Sequence, residues 1–160
     1  KLGLSAPEHH DVIRTKIEFS GRGEESDEAD FAVVPAAIVQ PYGLQAPTVR
    51  HYLETTAIDQ KIAALALRSE TKARDIFDLD LLLRRRAAGD NSGGLDGTYA
   101  ADAADRALSV PYANFMSEVA PFLDAEMADL YDASVWDAMC VAAADELDQV
   151  ATAASDGGAT

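Results

Sequence analysis

The stretch TTAIDQKIAALALRSETKARDIFDL, residues 55–79, decides how most of this chain folds. Its apolar residues recur every three or four positions, a spacing typical of amphipathic helices that pack on a core. The first set of apolar residues predicts a helix of roughly 17 residues that begins near Val49. This set is Ile58, Ile62, Leu65 and Leu67. After a break at residues 69–71, a second helix over 73–88 is predicted by a second set, which is Ile76, Leu79, Leu82 and Leu83.

The same stretch carries charges at helical spacing. Lys61 and Arg68 are seven residues apart and so share one face of the first helix, while Asp75 and Asp78 share a face of the second. Arg74 precedes Asp78 by four residues and is placed to pair with it. The short break makes an antiparallel helix pair possible, and that arrangement would bring the two faces together. Two interpretations stay open: cations set beside carboxylates for a polyphosphate, or an ordinary ion-paired helix hairpin.

The segments on either side give the fold class. Residues 11–20 alternate polar and apolar and predict a strand, residues 21–30 predict a solvated hairpin loop, and residues 31–40 predict an edge strand interrupted by Pro35. Four glycines in 89–97 end the second helix. Further helices are predicted over about 99–109, 111–122, 124–131 and 134–153. The prediction is an α+β protein with a strand-rich part over 1–50 and a helical domain over 51–155.

Composition limits the class of protein. At 160 residues and 48% hydrophobic, the chain is long enough to bury a core. No apolar run reaches the roughly 18–20 residues that cross a membrane. The first residues lack the pattern of a secretion signal, so a cytoplasmic protein is expected. Cys140 is the single cysteine and is predicted to be a buried packing thiol.

The net charge of −15 is unevenly distributed. Residues 1–86 hold 12 Lys and Arg against 14 Asp and Glu, whereas residues 87–160 hold only Arg106 against 14 acids. The first part therefore has room for a local basic site, and the second is strongly acidic. The second helix ends with Arg84, Arg85 and Arg86, and the negative end of a helix dipole favours cations there. The alternative interpretation is that these arginines contact an RNA backbone.

The helix pair also carries a sequence pattern, K-x-x-A-L-x-x-R followed by R-D-x-x-D-L-x-x-L. Its residues here are Lys61, Ala64, Leu65, Arg68, Arg74, Asp75, Asp78, Leu79 and Leu82. This pattern resembles the second half of the AbiEii-type nucleotidyltransferase-like toxins of abortive-infection systems. Thr56 matches a threonine common in that family, and Lys16-Ile17-Glu18 resembles its K-x-D/E strand motif. The resemblance spans about residues 12–147 and is most specific at 56–82.

The resemblance implies transfer of nucleotides from a nucleoside triphosphate to an acceptor, which in some members is tRNA. It implies Mg²⁺ held by carboxylates, with Glu18 as a catalytic, metal-binding residue and Lys16 as its partner on the strand. Lys61 would grip the triphosphate, and Asp75 or Asp78 would support catalysis. Further nucleotide contacts are implied for Lys16, Thr56, Arg68 and Arg74. A cognate antitoxin or a companion polypeptide is the implied partner.

One family motif is missing from these 160 residues. A Gly-Ser turn followed by D-x-D should precede Glu18, and residues 1–17 contain neither. The D-x-D at Asp78–Asp80 lies on a predicted helix, where the two side chains diverge by about 200°. We therefore expect this chain to correspond to the C-terminal portion of such a protein, and its strands to be a remnant of the nucleotidyltransferase domain. We expect these 160 residues alone to have no transfer activity. The alternative is a non-catalytic acidic helical interaction module of a toxin–antitoxin or phage-defence system.

Overall fold

A computed structural model describes residues 2–4, 13–15, 29–88 and 94–157 of the chain. Within these ranges the strands lie in the N-terminal part together with one short α-helix, and helices make up most of the chain from Glu54 onward, which confirms the predicted α+β class. Strand β1 (Leu2–Leu4) pairs with β2 (Ile13–Thr15), and β3 (Ala29–Val33) pairs with β4 (Thr48–Tyr52), both antiparallel. The predicted strand over 11–20 contains β2, but its remainder and most of the predicted 21–30 loop lie outside the described residues.

The second hairpin corrects two boundaries. Strand β3 ends at Val33, and helix α1 (Ala36–Val39) follows Pro35, so the predicted strand over 31–40 is too long. A 3₁₀ turn, Gln40–Tyr42, then ends at Gly43, whose φ of 63° is in the left-handed region that glycine tolerates. Strand β4 occupies Thr48–Tyr52, where the sequence suggested the start of a helix near Val49. The β-branched and aromatic residues of TVRHY favour the extended strand.

Both central helices are present, although the first begins at Glu54 and not near Val49. Helix α2 runs Glu54–Leu67 and helix α3 runs Ala73–Ala88. Ile58, Ile62 and Leu65 of α2 are buried, as are Ile76 and Leu79 of α3, so the apolar faces of both helices lie in the core. Leu67 is exposed, against the prediction, because nine residues from Ile58 correspond to about half a turn beyond two full turns.

Four further helices complete the described bundle: α4 (Ala100–Ala107), α5 (Tyr112–Glu118), α6 (Ala125–Ala128) and α7 (Ala133–Gly157). They fall within or overlap the four predicted segments, but α5 and α6 are shorter because 3₁₀ turns and a loop take up the ends. Trp136 is fully buried, and its indole N–H donates to the Val110 carbonyl at 2.9 Å. An aromatic cluster surrounds Phe115, formed by Phe77, Tyr112, Tyr131 and Trp136.

Among the described residues, no helix combines the length and the apolar character that a membrane span requires.

Candidate functional site

Lys61 lies at the centre of a charged cluster between α2 and α3. Its Nζ donates to Asp78 Oδ2 at 2.6 Å and to Asp75 Oδ1 at 3.3 Å. Lys61 comes from the middle of α2, and the two carboxylates come from the first two turns of α3. The antiparallel arrangement that the sequence suggested therefore does bring these faces together.

Arg68 joins the cluster at the end of α2. Its Nη1 lies 3.0 Å from Asp75 Oδ2, an ion pair without the directional geometry of a hydrogen bond. Asp75 is only 1% exposed, whereas the side chains of Lys61, Arg68 and Asp78 are 29%, 40% and 46% exposed. A buried carboxylate is stable as an anion when cations pair with it, and here two cations do so. Asp75 is thus the buried anchor of a cluster whose other members reach solvent.

The cluster is part of a longer series of ion pairs along the two helices. At the far end of the helix pair, Arg85 Nε lies 3.6 Å from Glu54 Oε1. Glu54, Lys61 and Arg68 are spaced by seven residues on the α2 side, so their side chains follow one stripe of the helix. The stripe meets residues of α3 in reverse order, as an antiparallel pair requires. This register supports the ordinary ion-paired hairpin as well as a binding site.

Two residues from later helices hold the turn between α2 and α3. Arg106 of α4 donates through Nη1 to the main-chain carbonyls of Arg68 and Leu65 at the C-terminal end of α2. Glu118 of α5 accepts from the Ala73 N–H at 2.8 Å, at the N-terminal end of α3. Each charge has the sign that the helix end favours. Sequence reasoning missed both roles, although Arg106 stands out as the only cation after residue 86.

Lys72, inside this turn, pairs with two carboxylates. Its Nζ lies 2.6 Å from Glu70 Oε2 and 3.4 Å from Glu118 Oε1. The hydrogen bond with Lys72 lowers the pKa of Glu70, and the same bond raises the pKa of Lys72. Lys72 therefore links the turn between Arg68 and α3 to Glu118 of α5.

The other predicted site residues lie elsewhere. Arg74 is exposed, and Asp78, its suggested partner, has its described contact with Lys61 instead. Thr56 is half-buried on α2, about 140° around the helix from Lys61. Lys16 and Glu18 lie outside the described residues. The structure therefore brings together Lys61, Arg68, Asp75 and Asp78.

The side chains of the D-x-D at 78–80 point to different neighbours. Asp78 faces Lys61 of α2, whereas Asp80 is buried and accepts from Arg84 Nε at 2.7 Å on its own helix. The described part of the chain has no group of three or more His, Cys, Asp or Glu side chains that could hold a metal ion. Asp75 and Asp78 do not form a Mg²⁺ site as they are placed, because Lys61 bridges the two carboxylates.

The pattern of charges and apolar residues along these helices is that of a known family. The family model for the nucleotidyl transferase AbiEii toxin of type IV toxin–antitoxin systems matches residues 5–153. The chain belongs to the AbiEii family. The match includes the cluster at 61–78, the turn-holding residues Arg106 and Glu118, and the segment with Lys16 and Glu18. No individual curated protein and no solved structure gives a significant match.

Membership of the AbiEii family confirms the resemblance that the sequence pattern suggested. It supports a nucleotidyltransferase-like toxin function for the chain in general terms.

Proposed function

We propose that Lys61 and Arg68 bind the triphosphate of a nucleoside triphosphate in an AbiEii nucleotidyl transfer site. The observation that carries this proposal is their convergence on one buried carboxylate, Asp75, with both cations partly open to solvent. A lysine ammonium has three donors, and the described contacts of Lys61 use two of them. Arg68 has five donors, and its described contact uses Nη1. Donors therefore remain for phosphate oxygens.

Asp75 and Asp78 have different roles in this proposal because their burial differs. Asp75 positions both cations and stays paired when nucleotide binds, because an unpaired buried carboxylate is costly. Asp78 is nearly half exposed and holds Lys61 in the free protein. When the triphosphate arrives, phosphate oxygens replace Asp78 as a partner of Lys61, and Asp78 is released toward the reacting groups as a catalytic carboxylate.

The remaining roles follow from the family. Thr56 and Arg74 contact the nucleotide more peripherally, and Lys16 is assigned as a further nucleotide contact. Nucleotidyl transfer in such families generally uses Mg²⁺, and we assign Glu18 as one of its ligands. We propose that the ion binds only where the missing Gly-Ser and D-x-D motif is supplied, because its main ligands belong to that motif.

Three broader assignments go with the site. We propose a tRNA end as the acceptor, a cognate antitoxin as the regulatory partner and the cytoplasm as the location, since nucleoside triphosphates and tRNA occur there. The 160 residues contain no Gly-Ser turn followed by D-x-D. We therefore expect this chain to bind nucleotide without catalysing transfer alone.

Nucleotide binding tests the proposal directly. ATP, GTP, CTP and UTP are titrated into the 160-residue chain and into the variants Lys61→Met and Arg68→Met by calorimetry. Loss of one charge-assisted phosphate contact is worth about 1.5–3 kcal/mol. We therefore expect binding to weaken by roughly ten- to a hundredfold for the preferred nucleotide.

Arg85→Met is the matched control, because it removes one cation from the far end of the same helix pair. It is expected to change nucleotide affinity by less than about twofold, in line with an exposed ion pair. Asp78→Asn should leave binding intact or tighten it, since it frees Lys61. Equal losses for Lys61→Met, Arg68→Met and Arg85→Met would show that the chain attracts nucleotides without a site at the cluster.

A further inference from the structure

A long groove lies between α3 and α7, away from the Lys61 cluster. It consists of two cavities of about 640 Å³ and 350 Å³ that share Asp80, Arg84 and Ala142. The larger one reaches Val135 at the start of α7, and the smaller one reaches Gln149 two-thirds of the way along it. At 1.5 Å per residue this distance is about 21 Å, the length of a helix of about 14 residues.

The larger cavity has an apolar lining that is open to solvent. Leu130, Leu81 and Val135 are 63%, 48% and 41% exposed, and the buried Met139 also lines this cavity. Large apolar side chains that line one exposed groove are typical of sites that accept the apolar face of an amphipathic helix. This end of the groove therefore provides anchoring contacts.

The other end of the groove is acidic. Asp145 and Glu146 line the smaller cavity and are exposed. Arg84 is the cation in the groove, and Asp80 compensates its charge at 2.7 Å. No Lys or Arg follows Arg106 in the sequence, so α7 carries only acidic charges. An occupant that brings Lys or Arg would be attracted, and its cations would meet Asp145 and Glu146.

We propose that the α3–α7 groove binds a basic amphipathic helix of a partner protein. Apolar residues of that helix pack on Leu81, Leu130 and Val135, and its cations face Asp145 and Glu146. A second copy of this chain suits the groove poorly, because both copies would carry a net charge of −15. The surface is separate from the Lys61 cluster, so this proposal stands independently of nucleotide binding.

The test uses a fluorescent synthetic helix of about 14 residues, with leucine at i, i+3, i+4 and i+7 and lysine on the other face. Its binding to the 160-residue chain is measured by anisotropy. In Leu130→Arg the groove gains a cation at its apolar end, and we expect affinity to fall by at least about tenfold. The double variant Asp145→Asn, Glu146→Gln loses the two carboxylates that face the lysines of the peptide. Its affinity for the peptide and the salt dependence of that affinity should both fall.

Leu108→Arg is the matched control, because Leu108 is similarly exposed at 57% but does not line the groove. It should change peptide affinity by less than about twofold. Equal losses for Leu130→Arg and Leu108→Arg would overturn the proposal, because they would show general attraction to an acidic protein. A dimer in sedimentation that Leu130→Arg dissociates would also overturn it, in favour of a second copy as the occupant. Circular dichroism checks that each variant is folded.

Discussion

Asp75 and Asp78 belong to the same sequence motif but differ in burial. Asp75 and Asp78 stand one helical turn apart and both contact Lys61, yet Asp75 is 1% exposed and Asp78 is 46% exposed. A buried charge depends on its partners, whereas an exposed one is solvated by water. The two residues should therefore respond differently to the same substitution.

We expect Asp75→Asn to lower the free energy of unfolding by about 3 kcal/mol, because Lys61 and Arg68 lose the anion between them. Asp78→Asn is the matched change at the exposed position and should cost less than about 1 kcal/mol. Urea unfolding followed by circular dichroism measures both. Similar losses at the two positions would mean that burial does not set the strength of this cluster.

Cys140 is a buried residue for which the structure indicates a pH dependence. Burial, with a smaller contribution from the nearby Asp137 carboxylate, raises the pKa of the Cys140 thiol to about 11. Only about one thiol in a thousand is then ionised at pH 8. We expect slow reaction with a disulfide reagent at pH 8 in the folded chain and fast reaction in urea.

The same shift predicts a loss of stability in alkali. Because the folded thiol holds its proton more tightly than the unfolded one, its contribution is complete below the ordinary thiol pKa and disappears as the pH rises toward 11. Cys140→Ala should lack this part of the pH dependence between about pH 9 and 11. An identical alkaline profile in both proteins would contradict the assignment.

At the scale of elements, the turn between α2 and α3 is held from outside. Arg106 donates to carbonyls at the end of α2, and Glu118 accepts from the first N–H of α3. Helix ends leave main-chain groups without partners, and each of these side chains supplies one. The turn that carries the cluster therefore depends on α4 and α5.

We expect Arg106→Met and Glu118→Ala each to lower the free energy of unfolding by about 1–2 kcal/mol, because a helix end loses its charged partner. Arg74→Met and Glu146→Ala remove the same charges from exposed positions and should each change it by less than about 0.5 kcal/mol. Thermal and urea unfolding measure the four variants. Equal effects at the half-buried capping positions and at the exposed positions would show that net charge, not capping, is responsible.

At the scale of the whole molecule, charge is divided along the chain. Residues 87–160 carry a net charge of −13, and residues 1–86 carry −2. Like charges on the helices after residue 87 repel one another in the compact state, and salt screens that repulsion. The chain should therefore be more stable at higher ionic strength.

We expect the Tm to rise by roughly 3 °C between 20 mM and 500 mM NaCl, which corresponds to about 1 kcal/mol for a chain of this size. Calorimetry at constant pH measures the change. Sodium sulfate is not a suitable replacement, because it also strengthens burial of apolar surface. A Tm that falls with NaCl would show that the ion pairs between α2 and α3 outweigh the repulsion.

The strand-rich part and the helical part of the chain meet near residue 53. The strands of the described chain end at Tyr52 and α2 begins at Glu54. A boundary at residue 50 would cut β4, so we propose that the strand-rich part ends at Leu53. Limited proteolysis of the intact chain would show whether the two parts separate there.

The sequence by itself determined the helix pair, the face that its charges share on each helix, and the family. Helical periodicity is local, so Ile58, Ile62 and Leu65 could be assigned to one face without any knowledge of what covers them. The spacing of Lys61, Arg68, Asp75 and Asp78 predicted that these charges would meet, and the pattern around them led to the AbiEii family. Periodicity was less informative at Val49, where a short β-branched run was mistaken for the start of a helix.

Only the tertiary structure decided which charges are buried and which later residues support them. Glu118 meets Ala73 from 45 residues away, and Arg106 meets Arg68 from 38 residues away. Nothing in a local pattern specifies such partners, because they depend on how α4 and α5 pack. Packing likewise covers Asp75, leaves Asp78 open and forms the α3–α7 groove. Sequence spacing thus determined which side chains share a face, and packing determined their solvent exposure, which sets the strength and accessibility of each charge.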